Sequence, residues 1–480
     1  MSKDIRALSP QLLWNKFSDL NAVPRPSKKE EQVVALMKEF GNSLGLEVIE
    51  DEVMNVIIKK PATLGMENRK TIVMQSHLDM VHQKNNDTVF DFDAEGIKMK
   101  IEEDWVKAEG TTLGADNGLG VATIMAILES KDIAHPAIEA LFTIDEETGM
   151  TGAIGLKGGL LTGEILLNLD TEEDDEIGIG CAGGVDLTAN GTYQTISSSG
   201  KGYQIKVKGL QGGHSGMQIH EGLGNANKLM NRILFELKDS LQIISIDGGG
   251  LRNAIPRESN AIVSVTDEGA FSNQFLEIKS KIMQEYKTLE PEMVIAAEPS
   301  EASGNAMSTE AQESLLKTIY SAHNGVYRMS PSVDGLVETS NNVARVEVKD
   351  GQITILCLTR SSVESGKQDL VNKLIATFEM SGYTVSASGQ YPGWAPNPNS
   401  DILKVLEHKY QELFNEKPNV MACHAGLECG ILGQNYPEMD MISYGPTIKG
   451  AHSPDERVSI SSVQKFWKFT LEILKDIPVK

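Results

Sequence analysis

Apolar positions along this chain fall into runs of two lengths. Blocks of strand length, TIVMQS (71–76), AIEALFTID (137–145) and EILLNLD (164–170), are nearly unbroken and stop at polar residues, the signature of strands buried on both faces. Between the first two lies GLGVATIMAILES (118–130), too long for one strand and apolar all round, which predicts a buried helix. SKKEEQVVALMKEFGNSLG (27–45) has apolar residues at helical spacing, a Ser cap, early acidic residues and a Gly stop. Strand-helix-strand alternation predicts an α/β domain with a mixed sheet covered by helices.

The pattern changes after residue 186. YQIKVKGL (203–210), NAIVSVT (260–266) and QITILCLT (352–359) read as strands, and GNANKLMNRILFELKD (224–239) and KQDLVNKLIATFEMS (367–381) as helices. The strand-helix-strand order occurs twice there, which suggests two similar halves. A Pro- and Asn-rich connection, YPGWAPNPNS (391–400), precedes two further helices, DILKVLEHKYQELF (401–414) and SVQKFWKFTLEILK (462–475). The expected organisation is therefore a domain of residues 1–186 resuming at 395–480, with an α+β domain of 187–394 inserted as a lid. GIGCAG (178–183) matches a dinucleotide-binding glycine pattern, but an acidic run precedes it and the strand-like GVDLTANGTY follows, so it reads as a hinge.

Composition narrows the function classes. Of 480 residues, 44 are basic and 67 acidic, a net charge of −23 that disfavours nucleic acid and anionic membrane as partners. The same deficit of basic surface argues against a di-metal nuclease or phosphatase. No apolar run approaches the roughly 20 residues a bilayer requires, and MSKDIRALSPQLLWNKF lacks the pattern of a secretory signal, so a cytoplasmic location is expected. Cys181, Cys357, Cys423 and Cys429 have no framework spacing and read as reduced thiols.

The chemistry gathers where strands end. SHLDMVH supplies His77 and Asp79, GADNG supplies Asp116, DEETG supplies Glu146 and Glu147, LNLDTEE supplies Asp170, and GAHSPDE supplies His452. Singly these are ordinary: a His-x-Asp hydrogen-bonded pair, an Asp-Asn-Gly turn, an acidic loop. Ligands collect at the carboxyl ends of strands in open α/β sheets, so the residues can converge. Carboxylates pooled at one sheet edge need cations, and mixed imidazole and carboxylate donors favour zinc, with cobalt or manganese as alternatives. Neighbouring side chains on an extended segment point apart, so Glu146 and Glu147 are expected to do different work.

As an ordered set, these motifs resemble the di-zinc metallopeptidase clan that includes carboxypeptidase G, acetylornithine deacetylase and the carnosinases. Within it, SHLDMVHQKN, TTLGADNGLGVA, DEETGMTGA, NLDTEE, GGHSG and GAHSPDE are most similar to the aminoacyl-histidine dipeptidases, over nearly the whole chain. The resemblance implies two Zn2+ per subunit. Asp116 bridges them, with a cis Asp116–Asn117 peptide; His77 and Asp170 complete one site, Glu147 and His452 the other. Asp79 orients His77, and Glu146 is the general base. It further implies His214 as an oxyanion donor, worth about 3 kcal/mol where such donors are measured. Asn253, Arg360, Gly426 and Glu428 follow as substrate contacts, Arg360 as a fork for a C-terminal carboxylate. Left to themselves, His214 and Arg360 read as a surface histidine and a solvated strand-end charge; His82, His220 and His424 are ordinary histidines.

The implied activity is hydrolysis of Xaa-His dipeptides such as β-alanyl-histidine. A broader di- or tripeptidase, an N-acyl-amino-acid amidohydrolase and a non-catalytic binding protein on a degenerate scaffold remain alternatives. A homodimer through the inserted domain is expected from the clan, whereas two similar halves in one insertion would mimic a dimer within one chain.

Overall fold

The computed structural model describes residues 4–301 and 304–480, which form two compact units. The first comprises residues 1–180, 396–422 and 427–480, and the second 181–395 and 423–426. The division falls at Gly180/Cys181, earlier than the expected break after Asp186.

The first unit is built on an eight-stranded sheet. Its strands are β1 (Glu47–Glu50), β2 (Val56–Lys60), β3 (Ile72–His77), β4 (Ile138–Thr143), β5 (Ile165–Asn168), β6 (Glu176–Cys181), β7 (Asn419–Cys423) and β8 (Asp440–Ser443). They lie in the order β1-β2-β4-β3-β5-β8-β6-β7. The central β4, β3, β5 and β8 are mutually parallel. Every residue of β3, β4 and β5 is buried, as their unbroken apolar runs predicted. The helix α1 (Ala115–Glu129) connects this region, and its interior from Asn117 to Leu128 is wholly buried. The later helix α2 (Glu428–Asn435) is short. A separate four-stranded sheet joins Met99–Glu102, Trp105–Ala108, Ile448–Lys449 and Arg457–Ser459.

One local expectation changes. The helix foreseen from Ser27 spans Glu31–Ser43 and has no side-chain cap; Ser27 Oγ donates instead to Asp79 Oδ2 at 2.8 Å. The GIGCAG segment is extended, with β6 running to Cys181 and the next strand beginning at Gly183, and the division between the two units falls within it.

The second unit is a nine-stranded antiparallel sheet with four helices over it. Its first half runs strand Lys201–Lys208, helix Ala226–Glu236, strands Leu241–Gly249 and Ser259–Val265, helix Glu268–Glu285 and strand Val294–Pro299. Its second half repeats the plan with strand Gly183–Thr192, helix Thr309–Ser321, strands Val337–Lys349 and Gln352–Ser361, helix Glu364–Glu379 and strand Thr384–Tyr391. In each half the last strand flanks the first, and the halves join where Leu241–Gly249 pairs with Val337–Lys349. This is the β-α-β-β-α-β plan used twice. Its core, including Leu187, Ile205, Val263, Val346 and Leu374, is continuous across both halves.

Candidate metal centre

His77 closes β3, Glu146 and Glu147 follow β4, and Asp170 follows β5, so parallel strands deliver them to one edge of the sheet. Asp116 comes from the irregular first turn of α1, where its peptide bond to Asn117 is cis. His452 follows Ile448–Lys449 and adopts a left-handed backbone (φ 63°), a strained conformation for a non-glycine residue.

The two oxygens of Asp116 face different partners. Oδ1 lies 3.2 Å from His77 Nε2, which is itself 3.5 Å from Asp170 Oδ1. Oδ2 lies 3.3 Å from His452 Nε2, which is 3.0 Å from Glu147 Oε2. Two donor triads result, His77-Asp116-Asp170 and Asp116-Glu147-His452, each with ligand atoms within 4.8 Å of one another. Glu146 lies against His77 and Glu147 in a third such group.

The charge balance of this cluster calls for a cation. Burial alone would lower the His77 imidazole, yet Asp170, Asp116 and Asp79 hold its pKa well above the usual range. His452 is pushed up to about 11 by Asp116 and Glu147. Burial pushes Asp170 to about 6 and raises Glu146 well above the carboxylate range, with Asp170, Glu428 and Glu147 adding to the rise. Protons are thus drawn in to neutralise the site, the work a divalent ion would do with imidazoles left neutral. Glu147 Oε1 is buried without a hydrogen-bond partner. Carboxylate and imidazole donors in two triads sharing one bridging carboxylate fit a pair of such ions.

Several positioning groups were not foreseen. Asp79 does more than face His77 Nδ1 at 3.3 Å: its carboxylate also accepts the Glu146 N–H at 3.0 Å and the Glu147 N–H at 3.2 Å. Glu456, in the segment that carries His452, accepts four successive backbone N–H groups, from Leu113, Gly114, Ala115 and Asp116, at 2.7–3.2 Å. The buried Arg25 donates to the Leu78, Asp79 and Gly114 carbonyls, joining the His77 and Asp116 loops. Asn117 Nδ2 donates to Asp170 Oδ1 at 2.5 Å.

The remaining expected residues are placed differently. His214, Asn253, Arg360 and Gly426 belong to the second unit. His214 Nδ1 accepts N–H groups of Gly216 and Met217 at 3.2 and 3.0 Å, so the neutral ring carries its proton on Nε2. Arg360 is buried rather than solvated; Nη1 donates to Tyr391 OH at 2.8 Å and Nε has no hydrogen-bond partner. Asn253 is exposed and Gly426 half-buried. His424, read as ordinary, is buried with Nε2 2.8 Å from Ser340 Oγ. Glu428 is fully buried, its Oε2 accepting from Gln75 and Thr143 while its Oε1 has no hydrogen-bond partner.

Residues 73–476 match the family model described as Peptidase family M20/M25/M40. The chain belongs to that family. This peptidase is 43% identical over 487 residues to the cytosol non-specific dipeptidase of Escherichia coli, covering 99% of this chain and 100% of the relative. It superposes on the crystal structure of aminoacylhistidine dipeptidase from Vibrio alginolyticus with a TM-score of 0.95 and 42% identity, covering 100% of this chain and 99% of that one. Aminopeptidase PepT from Bacillus cereus, 16% identical with a TM-score of 0.58 over 98% of this chain and 99% of that one, shares the fold. The peptidase is a hydrolase of peptide bonds. Among its described residues no helix is long and apolar enough to cross a membrane.

Proposed function

We propose that this peptidase is a cytosolic dipeptidase that uses two divalent metal ions, zinc in the first instance, to cleave Xaa-His and related dipeptides. The observation that carries the reading is the split of Asp116, one oxygen toward His77 and Asp170 and the other toward His452 and Glu147. The dipeptidase names of the E. coli and Vibrio relatives supply the substrate class.

Ions held by His77, Asp116, Asp170, Glu147 and His452 would polarise the scissile carbonyl and make water acidic enough to attack near neutral pH. The chain's own groups do the rest. Glu146, buried and with a raised pKa, takes the proton of the attacking water and returns it to the leaving amine. Asp79 fixes that carboxylate through its backbone and holds His77 by the other ring nitrogen.

A second reading, a dipeptidase without preference for histidine, is favoured by the non-specific dipeptidase of E. coli, the 43% identical relative. Chelated protein reconstituted with Zn2+ or Mn2+ and assayed on β-alanyl-histidine, a histidine-free dipeptide, a tripeptide and an N-acetyl amino acid separates them. Cleavage confined to dipeptides, with the histidine substrate best by kcat/KM, is expected; equal rates on both dipeptides favour the second reading. Preference for the N-acetyl amino acid, or activity indifferent to chelation, would refute the proposal. Light scattering separates a homodimer through the second unit from a monomer whose two similar halves mimic a dimer within one chain.

A further inference from the structure

Beneath the ligands lies a row of polar side chains where an α/β core is ordinarily apolar. Gln75, Asn168 and Ser443 are paired side by side across β3, β5 and β8, and Thr143 of β4 pairs with His77. Because side chains alternate, Gln75 and His77 share a face, so the row sits one rung below the metal-facing histidine. All of these residues, and Glu428 at the start of α2, are fully buried.

Their hydrogen bonds run in one direction. Ser443 Oγ donates to Asn168 Oδ1 at 2.5 Å, Asn168 Nδ2 to Gln75 Oε1 at 2.6 Å, and Gln75 Nε2 to Glu428 Oε2 at 2.6 Å. Thr143 Oγ1 donates to the same Glu428 oxygen at 2.7 Å. The polarity has one source. Gln75 must turn its NH2 toward the carboxylate oxygen and therefore its carbonyl toward Asn168, which must in turn present its own carbonyl to Ser443. Burial pushes the Glu428 carboxyl up to about 7, but a proton there has Oε1, otherwise without a partner, to occupy, so Oε2 accepts in either state.

We propose that Glu428 is a positioning residue of the metal centre: it terminates this hydrogen-bonded row and thereby sets where β3, β4 and β5 present His77, Glu146, Glu147 and Asp170. An apolar row of equal volume would pack at least as stably. What the polar row adds is one permitted arrangement of neighbouring strands. The inference rests on the metal-centre reading above.

The test measures Zn2+ affinity of the full-length protein by chelator competition, and the urea unfolding midpoint of the metal-free form. Thr143→Val and Glu428→Leu should each weaken Zn2+ binding about 10- to 100-fold, as loss of groups supporting ligands does. The double variant should lose less than the product of the two. Glu428→Gln, whose amide oxygen still accepts both donors, should recover most of the affinity. Unchanged affinity with a lower unfolding midpoint would make the row merely structural and overturn the proposal, as would Glu428→Gln binding as weakly as Glu428→Leu. Should Glu428→Leu fail to fold, the near-isosteric Thr143→Val decides alone. A wild-type protein that binds no Zn2+ would instead refute the metal-centre reading.

Discussion

Glu146 and Glu147 both donate a backbone N–H to Asp79 yet differ in their contact with His452. Glu147 Oε2 stands 3.0 Å from His452 Nε2, while Glu146 makes no such contact and carries a pKa raised first of all by burial. Glu146→Gln should therefore lower kcat by about 10²- to 10⁴-fold, the range of a general base, with Zn2+ content by elemental analysis unchanged. Glu147→Gln should reduce the Zn2+ retained after dialysis against a chelator. That these two carboxylates would lie beside His77 was legible in the sequence, because DEETG and SHLDMVH both follow strand-like runs. Glu456 was not: within GAHSPDE it reads as one more solvated loop acid, and only the fold brings four backbone N–H groups to it. Removing it strands those buried donors, and at about 1–3 kcal/mol for each unsatisfied group Glu456→Ala should cost at least about 3 kcal/mol in urea unfolding.

At the scale of elements, β3, β4, β5 and helix α1 were foreseen because burial on every side leaves an uninterrupted apolar signal. What periodicity does not carry is the distance between elements. α1 approaches β3 through Gly120, where a Cβ would lie 2.8 Å from the Leu169 carbonyl oxygen and closer still to Ser76 Oγ. Overpacking of this kind costs about 1–3 kcal/mol, so Gly120→Ala should lower the unfolding free energy measured in urea by that amount and loosen Zn2+ binding, since Asp116 heads the same helix. The misplaced start of the helix Glu31–Ser43 has a related cause. Ser27 is spent on Asp79, a partner 52 positions away that no local pattern reveals.

The whole molecule carries a set of histidines held neutral. Burial lowers the pKa of His135, His214, His323 and His424, the last to about 3 with Arg360 adding to the effect. A folded-state pKa below the unfolded value of about 6.5 means the unfolded chain takes up the proton first. The stability His424 contributes is thus complete above pH 6.5 and is lost as pH falls from there toward 3. Replacing it by Gln should shrink the drop in urea midpoint between pH 7 and pH 5, and the difference between the two proteins isolates this residue from His77 and His452, whose raised values act in the opposite direction. The order of runs suggested two domains and two similar halves in the insertion, whereas the exact pairing of strands distant in sequence was not legible. One such pairing governs how the protein can be made. β8 lies between β5 and β6, yet it is synthesised after everything from residue 181 to residue 439, and His452 emerges later still. A nascent polypeptide still on the ribosome short of Asp440 has a gap in the middle of its sheet, and the Asp116-Glu147-His452 group can close only once residue 452 has been made.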